Sequence, residues 1–139
     1  MNVAIAVKAL IFNQSNQVLL LQRRSNDVHS PGNWDIPGGR INVGENPLSG
    51  LSRECLEETG LEIKPTAPIA LRYFERDDGQ IITMIIFVCQ LTSYTGKSVE
   101  VSLSVEHTSY KWVRPKKENL PEWLHQTIDN LVTLKSLQI

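Results

Sequence analysis

The chain of 139 residues carries a formal net charge of −1, with 41% apolar and 21% charged residues. That length suits one compact domain spanning residues 1–139, and neither fraction suggests disorder. A near-neutral balance gives no basic field for a polynucleotide backbone, although it leaves room for a small nucleotide held through metal.

Val3 to Phe12 reads as a strand; Lys8 interrupts its apolar run, and without a basic stretch ahead of it the segment is no signal peptide. Asn13 to Asn16 is a turn cluster and Val18 to Gln22 a second strand, which together predict a hairpin. Ser25 to Asn33 is a polar surface loop, and the chain must bend sharply through Trp34-Asp35-Ile36-Pro37-Gly38-Gly39. Asn46 can cap free amides and Pro47 suits the first helical position, so a helix is expected to Thr59, with Gly60 as its stop. Leu61 to Phe74 is extended in parts, broken by Pro65 and Pro68, and Glu75 to Gly79 is a turn. Ile81 to Leu91 reads as a strand buried on both faces. Its apolar run falls far short of the roughly 20 residues that span a bilayer, so no membrane partner and a cytoplasmic location are expected. Cys55 and Cys89 sit in apolar segments without metal-ligand spacing and read as buried free thiols. Tyr94 to Ser104 is a loop, Tyr110 to Val113 a short strand, and Pro121 to Leu137 an amphipathic helix. Strands mixed with two helices predict an α/β fold with a mixed sheet packed between helices.

The helix over 47–59 holds the densest charge. At about 100° per residue, Glu54, Glu57 and Glu58 share an arc of roughly 100°, while Leu48, Leu51 and Cys55 project about a quarter-turn away toward the sheet. Three like charges in the C-terminal half of a helix repel one another and oppose its dipole. A solvated acidic face, with Arg53 and Glu57 paired at i, i+4, is one reading. A hard divalent cation that turns repulsion into coordination is the other.

The segment Gly39 to Leu61 resembles the Nudix box, G-x5-E-x7-R-E-U-x-E-E-x-G-U with U aliphatic, at Gly39, Glu45, Arg53, Glu54, Glu57, Glu58, Gly60 and Leu61. Its one departure is Cys55 at the first aliphatic position, a matter of packing rather than chemistry. Seven fixed identities match by chance on the order of once in ten million chains of this length, so the chain is identified as similar to the Nudix hydrolases. Val18 to Arg24, Trp34 to Gly39, and Glu106 ahead of Trp112 look like further parts of the MutT-like pattern.

The resemblance implies an α/β/α sandwich with a mixed sheet, and a hydrolase that cuts a phosphoanhydride bond with Mg²⁺ or Mn²⁺. It implies that Glu54, Glu57 and Glu58 hold metal, together with the backbone carbonyl of Gly38. Arg53 and Glu45 match the ionic pair that orients the helix. Glu106 matches a loop carboxylate that serves some members as ligand or base; as a residue it reads equally as an ordinary solvated glutamate. Glu54, Glu57 and Glu106 stand as candidates for the group that takes the proton from water. One of Arg23 and Arg24, at a strand end, should face phosphate, and the pattern favours Arg24. Trp34, Trp112 and Trp123 suit a core, and Trp34 is kept as the aromatic candidate for substrate contact. His29 reads as a solvated loop residue; His107 and His125 are assigned nothing.

The box sets the reaction and leaves the leaving group open. The region after the box, at Arg76-Asp77-Asp78, lacks the Pro of ADP-ribose-cleaving members, and Tyr73 comes too early for the Tyr of dinucleotide-cleaving ones. A (deoxy)nucleoside triphosphate giving monophosphate and pyrophosphate is the expectation. The alternatives are an ADP-sugar or dinucleotide pyrophosphatase, or a silent nucleotide-sensing domain. Leu124 in place of an Asn argues against selectivity for 8-oxoguanine. Dimers are common in the family.

Overall fold

The computed structural model describes residues 2–92 and 100–137. The elements run β1 (Val3–Phe12), β2 (Val18–Arg23), β3 (Trp34–Asp35), β4 (Gly38–Arg40), α1 (Pro47–Thr59), β5 (Ile63–Glu75), β6 (Ile81–Leu91), β7 (His107–Val113) and α2 (His125–Ser136). Part of the loop expected over Tyr94 to Ser104 lies outside the described residues.

The centre of the mixed sheet is the pair β1–β6, parallel and in continuous register from Val3–Ile81 to Phe12–Gln90. Parallel strands need both faces covered, and the alternation of β1 supplies both. Val7, Ala9 and Ile11 pack with Leu51 and Cys55 of α1, whereas Ala6 and Leu10 pack with Leu124 and Ile128 near and within α2. The result is the α/β sandwich expected, with both cysteines free and buried.

Three local expectations are corrected. The hairpin of β1 and β2 closes at one pair only, Phe12–Val18; beyond it β2 leaves β1 and pairs with β7 and β3 instead. Pro65 and Pro68 do not break β5, which is one 13-residue strand whose register shifts at each proline. As the edge strand, β5 tolerates a missing N–H at a bulge. The last helix begins at His125, after a 3-10 turn over Glu122–Leu124.

The divergence of β1 and β2 positions the site. β3 docks on β2 and β4 on β1, so the chain from Trp34 to Arg40 straps the two halves of the sheet together. The Ala9 amide donates to the Pro37 carbonyl at 2.8 Å and anchors the strap midway.

Candidate active site

A cleft of about 1610 Å³ opens along the strap, bordered by β1, β3, β4, the C-terminal half of α1, and residues from β5, β6 and the loop before β7. Helix α1 is delimited as its sequence implies. The Asn46 side chain accepts from the amides of Leu48 and Ser49 at 2.9 and 3.4 Å, Pro47 follows, and Gly60 ends the helix at φ 71°. Leu51 and Cys55 are buried as expected, but Leu48 is 48% exposed, because the first turn extends past the edge of the apolar layer.

The helix is clamped by Arg53. Its guanidinium donates to both Glu45 oxygens at 2.7 and 3.0 Å and to Glu57 at 3.1 and 3.3 Å, and lies 3.3 Å from Glu54. The Arg53 hydrogen bonds, with the Asn42 amide, hold the Glu45 carboxyl down at about 2. Arg53 and Glu45 thus form the ionic pair expected.

The three helix carboxylates differ in environment. Glu54 and Glu58 border the cleft; Glu57 does not, and is turned outward onto Arg53 with its side chain 58% exposed. Glu58 is buried, its Oε2 accepting from the Gly38 amide at 3.4 Å. Burial, only partly countered by Lys8 and the Gly38 amide and reinforced by Glu54 and Asp35, pushes its carboxyl up to about 8.

The two loop glycines answer to close packing. Gly38 sits at φ 135°, and a Cβ there would lie 2.1 Å from the Val7 carbonyl oxygen. A Cβ on Gly39 would lie 3.0 Å from a Glu54 oxygen, so the loop backbone and the Glu54 carboxylate lie side by side.

Under the strap lies a group that sequence reasoning passed over. The Lys8 ammonium is buried and donates to Asp35 Oδ2 at 3.1 Å, to the Ile36 carbonyl at 3.2 Å and to the Gly38 carbonyl at 3.3 Å. Burial alone would raise the Asp35 carboxyl, but Lys8, Arg23 and the Ile36 amide outweigh it and hold it below the usual carboxylate range. A lone lysine within an apolar strand was the available signal, since such a residue must find acceptors inside the protein.

Arg23 lines the cleft, whereas Arg24, the favoured candidate, does not. Arg23 is tied to Asp27 at 2.9 Å and to Asp35 at 3.1 Å. Its placement follows from a register shift between Gln22 and Arg23, which breaks the strand's simple alternation. Glu106 is exposed on the cleft wall, and next to it His107 is buried with no partner for Nδ1. Burial and the nearby Lys8 lower the His107 pKa and favour the neutral ring. His29 shares a 2.7 Å hydrogen bond with Asp77 at the rim, and His125 bonds the Lys117 and Leu120 carbonyls away from the cleft. Trp34 borders the cleft under the Lys111 ammonium, 4.1 Å from its ring centroid, and Trp123 borders it as well; Trp112 packs in the core. Leu124 is fully buried and offers nothing to a ligand.

Among the described residues, no three His, Cys, Asp or Glu side chains converge on one point as a closed metal cage. Glu54, Glu58 and Gly38 nevertheless line one cleft, where the Gly38 carbonyl already accepts from Lys8 at 3.3 Å and the Glu58 charge is only partly compensated by Lys8 and the Gly38 amide. Hard oxygen donors with surplus negative charge fit a divalent cation that keeps part of its shell as water and phosphate. No helix among the described residues is long and apolar enough to cross a membrane.

Comparison with known proteins agrees with this geometry. A crystal structure of the MutT protein from Methanosarcina mazei Go1 superposes with a TM-score of 0.81 at 32% identity, covering 96% of this chain and 95% of that one. The asymmetrical bis(5'-nucleosyl)-tetraphosphatase of Rattus norvegicus is 34% identical over 106 residues, 73% of this chain and 66% of that protein. Nudix hydrolase 8 of Arabidopsis thaliana is 30% identical over 114 residues, 78% of this chain but 29% of its own length. The chain therefore spans less than two thirds of these two curated relatives. The family model for the NUDIX domain matches residues 3–134, and with that extent of match to sequence and fold the chain belongs to the NUDIX family.

Proposed function

We propose that the protein is a magnesium-dependent pyrophosphohydrolase that converts a (deoxy)nucleoside triphosphate to its monophosphate and pyrophosphate. The observation that supports this reading is that Glu54, Glu58 and Gly38 line one cleft, beside a helix that Arg53 and Glu45 hold in place. The two carboxylates, with the second lone pair of the Gly38 carbonyl, would hold the cation. When bound, it supplies charge neutralisation of phosphate oxygens and acidification of water.

The chain's own groups do the rest. Glu54, beside the Gly39 backbone, would orient or deprotonate a water that attacks phosphorus, and Glu106, which lines the same cleft, is the second candidate. Glu57 acts through Arg53: by sharing the guanidinium with Glu45 it keeps the helix aligned. Attack forms the new P–O bond, the bridging P–O bond breaks, and pyrophosphate leaves with the electron pair. Arg23, Trp34 and Lys111 line the side where phosphate and base would lie.

The test is a panel of nucleoside triphosphates, ADP-sugars and a dinucleoside tetraphosphate with magnesium, products identified by mass. The dinucleotide is included because the rat relative carries that name. Monophosphate plus pyrophosphate from a triphosphate, abolished by EDTA and reduced by about 10²-fold or more in Glu54→Gln, is the expected outcome. No turnover of any member, or full turnover by Glu54→Gln, overturns the reading.

A further inference from the structure

The cleft contains four arginines, and three of them are already engaged. Arg23 binds Asp27 and Asp35, Arg40 donates to Gln80 Oε1 at 2.9 Å, and Arg76 binds Asp78. Arg72 is different. Among the described residues no carboxylate lies within ion-pair distance of it and its guanidinium donates to no protein acceptor. Its position is nonetheless well defined: the guanidinium carbon lies 5.1 Å from the Phe74 ring centroid and 4.9 Å from that of Trp123, over both rings. Arg72 and Phe74 come from alternate positions of edge strand β5, and Trp123 reaches across from the turn ahead of α2. Two aromatic rings hold the cation by π-attraction, and without a protein acceptor among the described residues its N–H groups remain for a ligand.

We propose that Arg72 is a specificity-determining residue that reads the edge of the nucleobase, and that the base it accepts is one with two adjacent acceptors. Guanine offers O6 and N7, and cytosine offers O2 and N3. This inference rests on the proposed action on nucleoside triphosphates. A planar fork of parallel N–H donors matches an in-plane pair of acceptors, whereas adenine sets its amino donor beside N1 and N7 and has no two acceptors side by side, and uracil sets N3–H between its carbonyls. The flanking rings of Phe74 and Trp123 offer apolar surface to a flat ring that meets the fork edge-on, and Trp34 lines the cleft as a further stacking surface. The same logic rejects 8-oxoguanine, whose N7 carries a hydrogen and has become a donor.

Isothermal titration of the full chain with the α,β-methylene analogues of GTP, CTP, ATP and UTP in magnesium reads this without turnover. The guanine or the cytosine analogue should bind at least about tenfold more tightly than the adenine and uracil analogues. A 7-deaza-guanine analogue separates the two sources: it loses affinity if N7 is read, and matches guanine if cytosine is the base selected. Arg72→Lys keeps the charge without the fork and should erase the preference. Arg72→Gln, whose amide pairs one donor with one acceptor, should shift the preference toward adenine. Thermal melts that match wild type show that both variants fold. If the four analogues bind wild type within about twofold, or both variants weaken all four by one common factor, Arg72 does not read the base and the inference fails while the hydrolase reading stands. If no triphosphate analogue binds at all, both fail.

Discussion

Replacing Lys8 with Met tests whether the buried ammonium holds the strap between the two halves of the sheet. Methionine keeps most of the aliphatic stem, so the change removes charge and hydrogen bonds more than volume. The Lys8 and Asp35 side chains are only 8% and 13% exposed, so solvent screens their 3.1 Å pair poorly. Removing one partner of a buried ion pair typically costs ~3–5 kcal/mol, because the other charge is left uncompensated. Here Asp35 retains Arg23 at 3.1 Å and the Ile36 amide at 2.7 Å, which places the expected loss near the lower bound, about 3 kcal/mol. For a domain of this size that corresponds to a fall in Tm of roughly 10 °C. Urea denaturation followed by tryptophan fluorescence measures it, and a double-mutant cycle with Asp35→Asn isolates the pair, with an expected coupling of about 1 kcal/mol or more. A Lys8→Met protein within about 0.5 kcal/mol of wild type, or additive single variants, would refute the assigned role.

Three further outcomes follow from the site. With EDTA present, Glu58 keeps a proton that the unfolded chain releases: its carboxyl is raised from 4.5 to about 8, so its contribution to stability is fully present below pH 4.5 and is lost as pH rises through about 8. Thermal melts from pH 5 to 9 should show that decline, and Glu58→Gln should flatten it while lowering turnover. Gly38→Ala must move β1 or β4, because its Cβ would fall 2.1 Å from the Val7 oxygen; a loss of at least about 2 kcal/mol in chemical denaturation is expected. Millimolar magnesium should raise the Tm of wild type, by ~2.7 kcal/mol of stability at one hundred times Kd, and should do so much less in Glu54→Gln.

Much of the site was legible because its signals are local. Asn46, Pro47 and Gly60 bound α1, and the spacing of Glu54, Glu57 and Glu58 put them on one arc whatever the fold. What the spacing could not convey was which carboxylate faces the cleft. Arg53 draws Glu57 outward, and only the tertiary position of the strap brings Glu58 against Gly38. That Arg23 rather than Arg24 lines the cleft was hidden for a different reason, since alternation within a strand carries no warning of a register shift at Gln22. Proline read as a strand breaker at Pro65 and Pro68 because edge and centre are indistinguishable before pairing is known. Lys8 signalled only that it needs acceptors, and those lie 27 or more residues away, while Trp123 reaches Arg72 only in the folded chain.

The parallel pairing of Val3 through Phe12 with Ile81 through Gln90 also orders events during synthesis. The first strand leaves the ribosome well before the segment that will cover its flank, and closing so wide a loop is entropically slow. Until then an apolar ribbon with unpaired backbone groups waits in the nascent chain, open to association with its neighbours. Lys8, in the middle of that ribbon, is a charged gatekeeper during this interval. The residue that later braces the strap protects the newborn strand first.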